Sequence, residues 1–327
     1  MGISRRSFLS TGVALAAGSN IAWAQTGYPS QPVKVVVGFA AGGSTDQVGR
    51  IVADGLSARF GKPFIVDNRP GASGNLAAGQ VARAPGDGHT LLLTAVGLAT
   101  TAAFNPSILQ AHPINDLAPI ALLAYTPNVL LASTRSGFKT VTDVIAGGKK
   151  DPNSLSFGHS GYGGGLHLTG EIFSVRSGTR MTHIPYKGVA PMMQDLLAGQ
   201  VNLGWDNLST ALPFIRSGRV QALAVASKQR APELPNLPTF GELGYDNMVF
   251  GAWFGLSGPK SLPTELAQTI AGHVSAMLSD SAMQKRVTDL GLQILESKSA
   301  QDYASYVEAD IARWKSVVTS ANIKPLS

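Results

Sequence analysis

The stretch Ala41-Gly42-Gly43-Ser44-Thr45-Asp46 stands between a β-branched run and a helical pattern. A helix start leaves backbone N–H groups without intrahelical partners and carries partial positive charge, so such a turn suits an anion. Its glycines let a ligand approach the main chain closely. Ser44 followed three residues later by Gln47 also fits a capping box, which is the purely structural alternative. The spacing matches neither the dinucleotide fingerprint nor the phosphate loop ending in Gly-Lys-Ser/Thr, which argues against a nucleotide. A second turn, Ser160-Gly161-Tyr162-Gly163-Gly164-Gly165, repeats this chemistry between another strand and helix, with a glycine hinge as its alternative. Gly158-His159-Ser160-Gly161 approaches the nucleophile elbow of serine hydrolases, but that motif requires glycine where Tyr162 stands. A secreted hydrolase would need His183 or His273 to reach Ser160, with a carboxylate behind the imidazole. Two further strand ends carry polar groups. Trp205-Asp206-Asn207 offers an acid and an amide that can contact a ligand or cap the next helix. His183-Ile184-Pro185-Tyr186-Lys187-Gly188 offers the positive charge of Lys187 to an acidic ligand, or simply a solvated lysine.

Other chemistries find little support. The chain has no cysteine, which excludes disulfides, thiolate metal sites and a cysteine nucleophile. Its six histidines, His89, His112, His159, His167, His183 and His273, form no His-x-His or His-Glu-x-x-His arrangement, so the expectation is no metal and no cofactor. The isoelectric point is about 9.5. The basic residues are nevertheless scattered, and no run after the first segment is longer than two residues, as at Lys149-Lys150, so nucleic acid is not an expected partner.

Strands alternating with helices must position these turns. A buried strand over 33–39 leads into the first turn, and Val48, Ile51, Val52, Leu56 and Phe60 share one face of a helix over 46–60. A strand over 63–67, a helix over 75–83 and a strand over 91–95 follow. Positions 88–115 carry no Asp, Glu, Lys or Arg, but threonines, Asn105, Pro106 and Gln110 interrupt them, which predicts a buried strand and loop rather than a membrane span. The middle repeats the rhythm, with strands near 129–132, 155–159, 181–184, 201–205 and 220–226 and helices between. The tail has one strand, at 250–256, and two helices. Leu266, Ile270, Val274 and Met277 define the face of one, and Tyr303, Val307, Ile311, Trp314 and Val318 that of the other. With too few strands for its own sheet, the tail returns to the first unit. The expected fold is α/β: two lobes, each a mostly parallel sheet flanked by helices, with a cleft between them and crossings near Tyr125 and Phe250. Residues 25–125 form the first part of lobe 1, 126–249 form lobe 2, and 250–327 complete lobe 1.

The first 24 residues read as an address. Ser4-Arg5-Arg6-Ser7-Phe8-Leu9 precedes a short apolar stretch, and Ala22-Trp23-Ala24 fits a cleavage site, as in a twin-arginine export signal. Cleavage near Ala24 removes two of the 26 basic residues and none of the 20 acidic ones, so the mature chain keeps a small positive charge. A soluble, exported protein is expected.

The order of several segments resembles the Bug family, the extracytoplasmic receptors of tripartite tricarboxylate transporters. These segments are Tyr28-Pro29-Ser30-Gln31-Pro32-Val33 leading to Phe39-Ala40-Ala41-Gly42-Gly43-Ser44-Thr45-Asp46, then Val66-Asp67-Asn68-Arg69-Pro70-Gly71, Pro85-Gly86-Asp87-Gly88-His89, His183-Ile184-Pro185-Tyr186-Lys187-Gly188, Asp206-Asn207-Leu208 and Ala309-Asp310-Ile311-Ala312-Arg313-Trp314. The resemblance implies a periplasmic binding protein fold, a monomer that closes on a small organic carboxylate held by backbone N–H groups, hydroxyls and waters. By that likeness Phe39, Ala41, Gly42, Gly43, Ser44, Thr45 and Asp46 bind from the first lobe. Ser160, Gly161, Gly163, Gly164, His167, Tyr186, Lys187, Gly188, Asp206 and Asn207 bind from the second. The implied partner is a membrane permease, with a sensor adaptor as the alternative role. The sequence departs from the family pattern in two places. Thr101-Ala102-Ala103-Phe104-Asn105-Pro106 lacks the family's histidine, and Gly164-Gly165-Leu166-His167 lacks a polar side chain before its histidine. Both changes favour a less polar pocket, one that suits an aromatic or longer aliphatic acid as well as a compact tricarboxylate.

Overall fold

The computed structural model describes residues 27–325, so the export signal read at 1–24 lies outside the described residues. The first elements are β1 (Val33–Val37), α1 (Ser44–Phe60), β2 (Phe64–Asn68), α2 (Asn75–Ala82), β3 (Thr90–Ala95), α3 (Val96–Phe104) and β4 (Leu117–Ser133). The middle contributes α4 (Val141–Lys150), β5 (Ser156–His159), α5 (Gly165–Ser177), β6 (Thr182–Pro185), α6 (Val189–Ala198), β7 (Leu203–Asn207), α7 (Leu208–Arg216) and β8 (Val220–Val225). The chain ends with β9 (Gly251–Pro259), α8 (Thr264–Leu278), α9 (Ser281–Asp289), β10 (Gln293–Ile294) and α10 (Ala300–Ser320).

One strand organises both sheets. The first part of β4 runs antiparallel to β9, from Leu117 opposite Pro259 to Pro127 opposite Gly251. From Asn128 onward it pairs instead with β7, Asn128 opposite Asn207, and with β8 on its other side. The first sheet thus orders as β2-β1-β3-β9-β4, and the second continues through β4-β7-β5-β6. The expected parallel pairing holds for β2-β1-β3 and for β7-β5-β6, while the strands joining them are antiparallel. β1 is central in its parallel trio and buries Val33, Val35, Val36 and Val37, as a strand covered on both faces must.

Two elements depart from expectation. β4 begins twelve residues before the strand read near 129, because Pro119 and Pro127 look like breakers. Proline donates no ladder hydrogen bond and is tolerated at irregularities, and the β4–β9 register shifts between Pro119 and Ala121. Where a loop was expected after β3, the chain forms α3. That helix is buried nearly all round, so it has no polar face and no amphipathic period to read. Its Thr100 and Thr101 hydroxyls turn back to the Gly97 carbonyl.

The tail joins the first sheet through β9, which pairs with β3 and β4. α8 buries Leu266, Ile270, Val274 and Met277, and α10 buries Tyr303, Val307, Trp314 and Val318. Trp253 lies in the core and donates its ring N–H to Asp310 at 2.8 Å. Among the described residues no helix is long and apolar enough to cross a membrane.

Candidate functional site

Five helices begin at one cavity. The N-cap residues of α1, α3, α5, α6 and α7 are Gly43, Ala95, Gly164, Gly188 and Asn207, and all five line it. None of the five helices has a side-chain cap, so no side chain of the N-cap residue takes the free amides there. Elsewhere α4, α9 and α10 are capped by Thr140, Asp280 and Ser299, while α2 and α8 also start without a cap. The cavity carries Ser44, Thr45, Asn128, Ser160 and Asn207 as polar side chains, and its lining contains no charged residue. Phe39, Val96, Leu166, Val189 and Phe254 supply the apolar wall. The result is a positive field made from dipoles alone, bordered by apolar surface.

Both glycine turns line this space. Val189 lies against Gly43, Val96 against Gly165, and Ala40 against Gly188. Gly188 has φ +135°, a backbone region that favours glycine. Two direct hydrogen bonds link the sides: Asn207 Nδ2–H to Ser44 Oγ at 2.6 Å and Ser73 Oγ–H to the Tyr162 carbonyl at 3.0 Å. The cavity is about 40 Å³, room for a few waters, so the two sides stand close together.

Of the residues expected at the site, Phe39, Gly43, Ser44, Thr45, Ser160, Gly164, Gly188 and Asn207 line the cavity. The others stand behind it or away from it. Ala41 is exposed, and Gly42 donates its N–H to Asp46 Oδ2 at 3.0 Å instead of offering it to a ligand. Asp46 is a brace: it also accepts from Arg50 Nε at 2.9 Å and from Asn68 Nδ2 at 3.0 Å. Burial pushes its carboxyl up, but these hydrogen bonds outweigh burial and hold it below the usual range. The Tyr186 hydroxyl is committed to Asp195 at 2.7 Å, and Lys187 is exposed outside the cavity. Asp206 is fully buried, and its Oδ1 accepts from the Asn207 N–H and the Thr210 hydroxyl, both at 2.6 Å. Burial raises its carboxyl to about 7.

Gly161, Gly163 and His167 belong to the support beneath the second turn. There His159, His167 and His183 pack together, with ring centroids 4.6, 4.7 and 5.5 Å apart. His159 Nδ1 lies 3.0 Å from the Gly161 carbonyl oxygen, and the Gly163 N–H reaches His167 Nδ1 at 3.2 Å. Burial, reinforced by the neighbouring imidazoles, lowers the pKa of His159 to about 3 and that of His167 further, so both are neutral at pH 7. Burial also lowers His183. No hydrogen bond joins Ser160 Oγ to an imidazole among the described residues; of the two imidazoles the hydrolase reading needs, His183 is engaged with His159 at 3.3 Å and His273 packs on Phe60.

Sequence reasoning did not assign Ala95, Val96, Gly97, Asn128, Gly165, Leu166, Val189 or Gly251 to the cavity. The Ala95–Gly97 junction was hidden with α3. Gly165 and Val189 directly follow the assigned Gly164 and Gly188, Leu166 directly precedes the assigned His167, and all three are the extension a strand-to-helix turn calls for. Asn128 carries no motif, and its place follows only from the change of pairing partner along β4.

The family model of the tripartite tricarboxylate transporter family receptor matches residues 48–323. Protein BugT of Bordetella pertussis is 32% identical over 299 residues, covering 91% of each chain. Among solved structures, R. palustris Rpa4515 with adipate is similar at TM-score 0.88 and 35% identity, covering 91% of this chain and all of that one. MatC of Rhodopseudomonas palustris with bound malate is similar at TM-score 0.84 and 32% identity, covering 89% of this chain and all of that one. The chain therefore shares the two-lobed fold of the periplasmic solute-binding proteins and belongs to the tripartite tricarboxylate transporter receptor family.

Proposed function

We propose that the chain is a periplasmic receptor that captures a small organic carboxylate in the cavity between its lobes and delivers it to a transporter permease. The observation that carries this reading is the convergence of five uncapped helix starts on a cavity without a charged side chain. Such a site holds a carboxylate through charge-assisted hydrogen bonds, each contributing about 1.5–3 kcal/mol, with no cationic partner. Lobe 1 is residues 25–125 and 250–327, and lobe 2 is 126–249. The lobes part to admit the acid and close over it, with the bend at Pro127–Asn128 where β4 changes partners. Ser44, Thr45, Ser160 and Asn207, with the amides beside them, are the proposed contacts. The apolar wall, including Leu166 and Phe254, favours an acid with an aliphatic or aromatic body. Relatives solved with adipate and with malate support the ligand class. The export signal read at 1–24 and the likeness to periplasmic binding proteins support the location. Binding, rather than catalysis, is the role supported by the receptor family and by the likeness to periplasmic binding proteins.

Calorimetry against malate, adipate, citrate, benzoate and the matching amides tests this. At least one acid is expected to bind one-to-one while its amide does not. Equal binding of acid and amide, or no binding by any acid, would sink the reading.

A further inference from the structure

His159 at the end of β5, His167 in α5 and His183 in β6 meet beneath the second glycine turn. We propose that these three side chains bind one divalent transition-metal ion of the zinc type.

The geometry is that of an imidazole site. One ring nitrogen of each histidine lies within 4.8 Å of the other two. Tetrahedral zinc holds imidazole nitrogens at about 2.0–2.1 Å, which sets neighbouring donors roughly 3.4 Å apart. His159 Nε2 and His183 Nδ1 already stand at 3.3 Å. The third donor needs a small ring adjustment. A second observation points the same way: His167 is 2% exposed, and its Nε2 has no hydrogen-bond partner. Because the Gly163 N–H donates to His167 Nδ1, this buried Nε2 carries the proton in the free protein, has no acceptor for it, and releases it when the ion binds.

The surroundings supply an outer shell. The Gly161 carbonyl oxygen and N–H both face His159 Nδ1, at 3.0 and 3.3 Å; the shorter contact favours a proton on Nδ1, which leaves the Nε2 lone pair toward His183. Glu171 Oε1 lies 3.9 Å from His167 Nε2 and supplies the nearby negative charge. His183 is only partly buried and opens the trio to solvent. Three neutral nitrogens select zinc, copper or nickel over magnesium and calcium, which prefer oxygen. The Ser160–Gly165 turn is strung between two of the ligands, so a bound ion stiffens it. The site stands apart from carboxylate capture and is tested with no acid present.

The experiment titrates untagged, chelator-stripped protein with zinc chloride by calorimetry. One ion per chain is expected, with affinity weakened about tenfold or more in both His183→Asn and His159→Gln and unchanged in His273→Asn. Absence of saturable binding, or full affinity in both variants, overturns the proposal. Cobalt(II) added to the unaltered protein decides the matter without a variant. Intense visible absorption from a four-coordinate site supports it, and only the pale spectrum of hydrated cobalt overturns it.

Discussion

Asn207 donates its Nδ2–H to Ser44 Oγ at 2.6 Å, joining residues 163 positions apart. Ser44 opens α1 and Asn207 directly precedes α7, so the bond ties one helix start to another across the cavity. Both side chains are buried. Opening exchanges this bond for bonds to water, at a net cost of only about 1 kcal/mol. A contact of that size biases the lobes toward closure without locking them.

Replacing Asn207 by Asp tests the electrostatics of the site. The substitution nearly keeps the shape, but it puts a carboxylate among dipoles arranged for an anion. Like charges brought together in a buried site cost several kcal/mol. Affinity for a bound acid should fall at least roughly 100-fold, close to 3 kcal/mol, by calorimetry. An unchanged affinity would mean that the acid does not sit beside Asn207.

Asp46→Asn tests the brace. The Asp46 carboxylate accepts from Gly42, Arg50 and Asn68, and an amide cannot satisfy all three donors. Asn68 is half-buried, and leaving its donor unserved costs about 1 kcal/mol, the low end for a buried group. Arg50 is largely exposed, so its ion pair contributes little of that. The sign with pH is fixed by the lowered carboxyl. The stabilisation is complete above the unfolded value of about 3.9 and is lost as pH falls through the lower folded value. Melting curves from pH 7 down to pH 2 should show wild type and variant converging only at the acid end.

Gly97 and Gly272 should respond oppositely to alanine. A Cβ at Gly97 would collide with the Ser73 carbonyl oxygen, and Ser73 also holds the Tyr162 carbonyl across the cleft. Overpacking of this kind costs about 1–3 kcal/mol. Gly272, inside α8, has open space around it, so alanine there should stabilise by about 0.5–1 kcal/mol. Thermal unfolding of the two variants reads both signs.

Local signals carried much of the fold and part of the site. The valine run of β1 and the glycine turn after it were legible because a buried strand and a helix start each have a local signature. The turn's division of labour was not: nothing in Ala41-Gly42-Gly43-Ser44-Thr45-Asp46 says that Gly43 and Ser44 face the cavity while Gly42 and Asp46 bind each other. That depends on Asn68, 22 residues away. α3 escaped because a helix buried on every side has no polar stripe. The histidine trio escaped because metal motifs assume neighbours on one element, whereas these rings come from β5, α5 and β6.

Asp206 gives the clearest pH signature. Its carboxyl is fully buried and raised to about 7, and Oδ2 has no hydrogen-bond partner. Below its unfolded value of about 3.9 it is protonated in both states and indifferent to pH. Between there and about 7 the folded state holds the proton that the unfolded state has lost, so stability falls as pH rises, and above about 7 the loss is complete. Asp206→Asn removes that loss while keeping one carbonyl oxygen for the Asn207 N–H and the Thr210 hydroxyl. The variant should match wild type near pH 4 and gain up to a few kcal/mol by pH 8, read from denaturant melts at both values. A variant less stable than wild type at pH 8 would show that the ionised carboxylate has a partner, such as a buried water, that offsets its burial.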